Sequence, residues 1–410
     1  MRKERPEWEW GNRETSLYDK SDYRSKFYTG KWEKVWLKDA ISKAVNQGLN
    51  LYDAMWSNYT DKMEHMPKSL FKFFPFNHNS IKCIETNNVF MNNPKNFNDP
   101  FDCVLCASEN EFLKQYLIEY LIRTDAITRG ILTEEELGKL KHSRCEDTRY
   151  GSIYKTFESV AFHLTYDEDK HEMRKGDLEI STVLERARRT YNNALEQLRG
   201  RTVGITSFAN VNKIKLSTYA ELWAHYAQNH EGFCVEYDLT QTTDDVNVNA
   251  MLMGGLLPCS YGARQITLGR RKMYKYANGL SFTPYEQMEF EKSIILSFLN
   301  KSSSWSYENE WRLILPLDVC EIYRNMIPFF TIKAIYIGCR MPADNFDFML
   351  RLAQRKGIEI YDMSMHEYRF ELEDFPINIE KHFENQHENQ DNQLRQSRYI
   401  LWNKADNREH

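Results

Sequence analysis

The sequence predicts an α+β fold: a mixed, largely antiparallel central sheet with an inserted helical cap and an aromatic N-terminal extension. Three observations lead there. Short runs rich in β-branched and aromatic residues (LFKFF at 70–74, TVGITSF at 202–208, FCVEYDL at 233–239, WRLILP at 311–316, TIKAIYIG at 331–338) alternate with helical segments, without the regular βαβ rhythm of a doubly wound parallel sheet. The span 108–200 has helical periodicity and separates the first strand from the second. Residues 1–66 hold five of the nine tryptophans in a charged background, so they read as an arm that lays its rings on the main domain or on a partner subunit.

In order along the chain, Trp32, Trp36, Ala40 and Ala44 have helical spacing within 31–57. Strand 70–76 is stopped by Pro75, and 80–91 reads as a short helix and strand. The run NNPKNFNDPFDC (92–103) is loop chemistry, dense in Asn, Asp and Pro. Within the insert, Thr133-x-x-Glu136 is a capping-box pattern, and the amphipathic segment 181–199 ends at Gly200. Thr218-x-x-Glu221 is expected to cap a helix that runs to His230, and 240–280 reads as variable loop with a basic run. A helix at 285–300, a strand after Glu310, a strand at 331–338, a helix at 343–356 and two closing strands complete a core spanning 67–375. The tail from 376 to 410 is polar.

Composition narrows the function. Charged residues make up 28% and the net charge is −5, which fits a soluble globular chain and argues against a whole-surface nucleic-acid binder. No apolar stretch of about 18 residues and no apolar segment behind MRKERPEWEW occur, so neither a membrane span nor a signal peptide is expected. Eight scattered cysteines suit reduced thiols and a cytoplasmic location. Cys103-x-x-Cys106 is a lone pair, read as buried filler, and His225 and His230 do not share a helix face, so no metal centre is assigned.

The candidate site residues come from four places. Lys72 is a cation inside an apolar strand, and Ser207 is a hydroxyl at a strand end. Glu308 and Glu310 precede Trp311–Leu315 and, in an extended chain, point to one side together with Arg312. Like charges at that range raise one pKa. The plain structural alternative is an ion-pair ladder of Glu308, Glu310, Arg312 and Lys72. Trp223 and Tyr226, three apart on a helix, form either a ring-stacking face or core. Asp99 and Asp102 form either a site wall or two turns that hold a bend.

These motifs resemble a widespread bacterial family of unknown function over roughly 68–372, with a Lys-containing first strand, FNDPFD (97–102), W-x-x-Y-A-x-x-H-x-G (223–232), W-x-x-E-x-E-W-R (305–312) and I-x-x-I-Y-I-G (332–338). Its frequent setting in bacterial defence implies an effector or toxin. Glu308-x-Glu310 entering a strand is also similar to the E-x-E motif of ADP-ribosyltransferases. That resemblance implies NAD as substrate and an acceptor macromolecule as partner. It makes Glu310 the electrostatic catalyst, Glu308 the acceptor-activating residue and Ser207 a scaffold, with Lys72, Asp99, Asp102, Trp223, Tyr226 and Arg312 around the cofactor. Two other classes fit the same residues. One is a metal-dependent nuclease or hydrolase using Asp99, Asp102, Glu308 and Glu310. The other is a non-catalytic sensing or binding module in which the aromatic arm and polar tail hold a partner and the E-x-E-W-R ladder is structural; the arm is also a candidate contact for a homo-oligomer.

Overall fold

The computed structural model describes residues 65–124, 133–142, 177–198, 203–211 and 219–384, with isolated positions ahead of and between these segments. The strands of the main sheet are β1 (Ser69–Phe74), β2 (Val203–Ala209), β3 (Phe233–Asp238), β4 (Leu256–Pro258), β5 (Glu310–Pro316), β6 (Thr331–Ile337), β7 (Glu359–Met365) and β8 (Leu372–Pro376). They lie in the order β8-β7-β6-β3-β1-β2-β5-β4. Every neighbouring pair is antiparallel except β6 and β7. A parallel pair needs a crossover, and helix Ala343–Lys356 supplies it, ending at Gly357 with φ 65°.

Alternation along the strands sets what each face holds. On one face Leu70, Phe74, Phe208, Tyr237, Leu313 and Leu315 form the largest apolar cluster with helices His78–Thr86, Val246–Gly255 and Ala343–Lys356. The opposite face carries two clusters. One joins Val203, Ile205 and Ile314 to helices Glu109–Arg123, Asp177–Leu198 and Pro284–Leu299. The other joins Phe71, Phe73 and Tyr336 to Leu222 and Trp223 of helix Ala220–Tyr226. The register pairs Arg312 with Ser207 and Glu310 with Ala209, so these polar residues face the seam between the two clusters.

The helices of the insert share a core with the sheet through Phe112, Leu113, Ala187 and Tyr191. The described positions of the arm do the same. Trp36 and Ala40 are buried in that cluster, and Lys62, fully buried, donates to the carbonyls of Gly254 (3.1 Å) and Leu256 (2.5 Å). Burial lowers the Lys62 pKa to about 7. Trp32 and Gly200 lie outside the described residues.

Several elements differ from expectation. Helix Ala220–Tyr226 starts after Tyr219, which makes no side-chain cap, and stops four residues before His230. It stops because Gln228, Asn229 and His230 all take positive φ (51°, 52° and 70°). The span 240–280 holds helices Val246–Gly255, capped by Asp245, and Arg270–Ala277, with β4 between them. Helix Pro284–Leu299 has a full capping box from Thr283 and Glu286 with proline in its first turn. A two-stranded ribbon pairs Asn88–Phe90 with Met326–Pro328. The last strand is LEDFP at 372–376, offset from the expected EYRFELE.

Two loops are fastened where β3 and β6 meet. Gly338 N donates to Gly232 O (2.9 Å) and Arg340 N to His230 O (3.0 Å). A Cβ on Gly338 would fall 2.2 Å from His230 O. Gly338→Ala is therefore expected to lower stability by about 1–3 kcal/mol through overpacking against backbone, read by urea denaturation. An unchanged midpoint would disprove that the approach is rigid.

Candidate functional site

Strand β5 brings Arg312 into the seam, fully buried. An isolated guanidinium there would be prohibitive, so its donors must be spent. Arg312 Nη1 and Nη2 bond Asp102 Oδ1 (2.9 Å) and Oδ2 (2.7 Å). Its Nε and Nη2 bond Glu310 Oε1 (2.7 Å) and Oε2 (3.1 Å), and Nη1 reaches Phe298 O at 2.6 Å. The fork geometry of arginine makes two bidentate clasps possible at once.

A second cation completes the network. Lys301, on the short strand Asn300–Ser302, donates to Glu310 Oε2 (2.8 Å) and to Glu308 Oε2. Tyr226 Oη donates to Glu308 Oε1 at 2.7 Å. Glu308 ends a 3-10 turn, and Asn309 follows in the left-handed region with φ 47°. Asn309 is held by Asn210, N to O at 2.9 Å one way and Nδ2 to O at 2.7 Å the other. The two glutamates therefore converge on Lys301 through a turn. The extended alternation expected from the sequence starts only at Glu310.

The two carboxylates are treated unequally. Burial opposes the charge on Glu310, yet Arg312 and Lys301 together hold its pKa far below the usual carboxylate range. Burial raises the Glu308 pKa, the charge of Glu310 raises it further, and Lys301 and Tyr226 offset this only in part. Burial and the Glu308 charge push the Tyr226 phenol well up. Lys301 stays a cation, because Glu310 and Glu308 outweigh its burial.

Beside the network lies an open cleft of about 690 Å³, lined by residues that include Asn98, Asp99, Phe101, Arg264, Asn300 and Trp305 and by no member of the network itself. Trp305 Nε1 donates to Asp99 Oδ2 (3.0 Å), and its ring lies 5.3 Å from Lys301 Nζ and 5.6 Å from the His225 ring. Asp99 Oδ1 accepts from Phe101 N at 2.8 Å, an Asx turn that leaves the Phe101 ring 71% exposed. Asp102, three residues on, ties this wall to the sheet through Arg312.

The structure gathers some of the candidate residues and separates others. Glu308, Glu310, Arg312, Asp102 and Tyr226 form one network, and Asp99 stands at its rim. Ser207 sits beside Arg312 on the adjoining strand. Lys72 projects to the other face of the sheet, between the rings of Phe74 (5.5 Å) and Phe208 (5.4 Å), and donates to Ser207 O at 3.0 Å. Its pKa falls to about 8 through burial. The charged network thus contains Lys301 where the ladder reading placed Lys72. Trp223 is fully buried, edge-on to Phe73 at 5.2 Å. Cys103 lies 3.1 Å from Arg312 Nη1, and Cys106 bonds Gln265.

The basic runs are largely spent within the chain. Arg188 meets Glu109 (3.3 Å), Arg189 meets Glu185 (2.5 Å), Arg270 meets Glu111 (3.0 Å), and Lys275 meets Glu286 (2.7 Å). Lys301 and Arg312 also take the inner oxygens of the clustered carboxylates. Among the described residues no group of three or more His, Cys, Asp or Glu side chains is arranged to hold a metal ion. Nor is any described helix long and apolar enough to cross a membrane.

The site is built mostly from one stretch of chain, running from helix Ala220–Tyr226 into β5. Residues 222–313 match the family described as a protein of unknown function (DUF2971). The match takes in Tyr226, Lys301, Trp305, Glu308, Glu310 and Arg312, while Asp99 and Asp102 reach the site from outside it. No curated protein and no solved structure matches the chain. Lys301 and Trp305 were absent from the candidates read in sequence. Trp305 carried a signal as the first residue of the W-x-x-E-x-E-W-R run. Lys301 carried none, because a lysine before three serines is ordinary surface composition.

Proposed function

We propose that the protein is a nucleotide-using enzyme of the ADP-ribosyl-transferring kind, with NAD as substrate in the cleft and Glu308 as the reacting carboxylate. The observation that carries this reading is the divergence of Glu308 and Glu310. Neighbouring carboxyls whose environments push their pKa values apart are the usual basis for dividing acid–base work from charge stabilisation. Glu310 stays ionised, locked by Arg312 and Lys301, and supplies a fixed negative field to an oxocarbenium-like sugar. Glu308, with its pKa raised, Tyr226 on one oxygen and Lys301 on the other, takes a proton from the acceptor, a macromolecule or water, once one of these donors gives way. Trp305 and Phe101 offer rings for stacking, and Arg264 a cation for phosphate. Lys72, on the far face, has no part in this version of the mechanism.

The test is thermal stability with millimolar NAD, combined with nicotinamide release. NAD at a hundred times its Kd should stabilise by about 2.7 kcal/mol. Glu308→Gln should keep the shift and lose release, and Trp305→Ala should lose both. No shift in the folded wild-type protein overturns the reading. The saturation of Glu310, both of whose oxygens are taken by Arg312 and Lys301, favours a second reading: a non-catalytic module in which the network only holds the cleft walls. Binding of nucleotide without release of nicotinamide would select it.

A further inference from the structure

The corner where β6 ends and β3 begins holds a nucleophile and a base side by side. Cys339 Sγ lies 3.9 Å from His230 Nδ1. Both residues sit on loops with little freedom. Gly338 N and Arg340 N, on either side of Cys339, donate to Gly232 O (2.9 Å) and His230 O (3.0 Å). His230 has φ 70°, a costly conformation for a residue with a Cβ, kept only where the surroundings impose it. The Trp223 ring lies nearly parallel to the imidazole, with 12° between the planes and 6.3 Å between centroids.

The protonation states suit proton transfer rather than an ion pair. Burial lowers the His230 pKa, and Arg340 lowers it further. Burial raises the Cys339 pKa; Asp362 of β7 adds to this and Arg340 opposes it. At neutral pH the ring is therefore an uncharged base and the thiol keeps its proton. In such a pair the imidazole takes the proton as the sulfur attacks. The corner also has a donor to spare. Trp223 Nε1 is fully buried and has no hydrogen-bond partner, and a donor left unpaired at that depth suits an acceptor atom of a ligand. The other described cysteines are placed differently. Five are buried, and half-buried Cys106 bonds the amide oxygen of Gln265.

We propose that Cys339 and His230 form a second reactive site, in which the thiol takes an acyl group from an activated ester or thioester. The bond from Sγ to the acyl carbon forms as the ester or thioester bond breaks. The thiol proton passes to His230 Nδ1, and the imidazole returns it to the departing alcohol or thiol. The product is an S-acyl Cys339 with His230 uncharged again. No residue assigned to the cleft chemistry takes part.

The experiment treats the full-length protein with p-nitrophenyl acetate, follows nitrophenol release and locates the acetyl group by peptide mass spectrometry. Cys106 is the internal standard. At neutral pH, Cys339 should acetylate about a hundredfold faster than Cys106. His230→Asn keeps a residue that tolerates positive φ and removes the base, so it should abolish that advantage. The wild-type Cys339 rate should rise through the imidazole pKa, below about 6.5, and then level off. Equal rates at Cys339 and Cys106 overturn the proposal, as does an unchanged rate in a folded His230→Asn protein. A Cys339 rate that climbs only above about pH 8.5, with thiol ionisation, overturns it too. The comparison with Cys106 and the pH profile need no variant, so they decide the matter even if His230→Asn does not fold.

Discussion

Arg312→Met is expected to lower stability by about 3–5 kcal/mol, the largest effect of any single substitution in the seam. Methionine fills much of the volume but removes every donor. Asp102 and Glu310 would then be left as buried carboxylates, with Lys301 alone to serve Glu310 and Glu308. The cost is chiefly the uncompensated charges. The pairs themselves contribute little net stability compared with an apolar core of the same shape. Replacing Asp102 and Glu310 with leucine as well should recover most of the loss, because Lys301 and Glu308 would remain as a balanced pair. Arg312→Lys should fall near the methionine value, since an ammonium cannot make two bidentate clasps. Urea unfolding measures all three. An Arg312→Met protein within about 1 kcal/mol of wild type would mean that water reaches and solvates the network.

Glu308 and Glu310 are expected to respond to neutralisation in opposite directions. Glu310 has a folded pKa below its unfolded value of about 4.3. Its contribution is therefore present above that value and is lost as pH falls through the folded pKa. Glu310→Gln should destabilise by several kcal/mol at pH 7 and by progressively less in acid. Glu308 has a folded pKa raised by burial and by the Glu310 charge. Its favourable contribution is present below about pH 4.3 and fades as pH rises through the folded pKa. Above its folded pKa the folded protein therefore holds the Glu308 charge at a cost. Glu308→Gln should match or exceed wild-type stability there, with the difference shrinking toward pH 4. Melting temperature against pH for the two variants gives the answer. Parallel losses would remove the division of labour on which the proposed chemistry depends.

These outcomes bear on what the site is for. Two lysine and arginine cations serving three buried carboxylates hold geometry more than they stabilise the fold. The Asp102–Arg312 clasp sets the position of the Asn98–Phe101 wall, and Lys301 sets Glu308 beside Trp305. The cleft's Asn98–Phe101 wall and Trp305 are thus braced from behind before any ligand arrives, as positioning of a substrate requires. The same rigidity would serve a module that only binds, and for this reason nicotinamide release matters more than a melting shift.

The sheet was legible because its strands announce themselves locally. LFKFF, FCVEYDL and WRLILP are short, apolar and β-rich, and their flanking turns use Pro, Gly and Asn. Helix Val246–Gly255 was missed because it is apolar nearly all round, so it shows no amphipathic period. The early stop of helix Ala220–Tyr226 depends on three successive left-handed residues, none of them glycine; Asn229 and His230 favour that conformation more than most residues, but a single-residue preference does not specify three in a row. Glu308, Glu310 and Arg312 could be found because they are neighbours in sequence, and two carboxylates before a buried strand are costly wherever they fold.

The partners of those residues were beyond reach from sequence. Asp102 lies 210 residues from Arg312, and only the pairing of β5 with β2 and the course of the Asn-rich loop bring the two together. Strand alternation also decided against the expected grouping. One residue of register sends Lys72 to the apolar face and Ser207 and Glu310 to the seam, although all three sit on adjacent strands in the expected order. The sequence by itself determined an α+β chain with a costly run of charge at the head of one strand, because composition and short-range pattern suffice for that. Only the tertiary structure decided which cations balance that charge, which carboxylate is left with a raised pKa, and which face of the sheet carries the network. Those properties follow from register and burial, and neither is a local property of the chain.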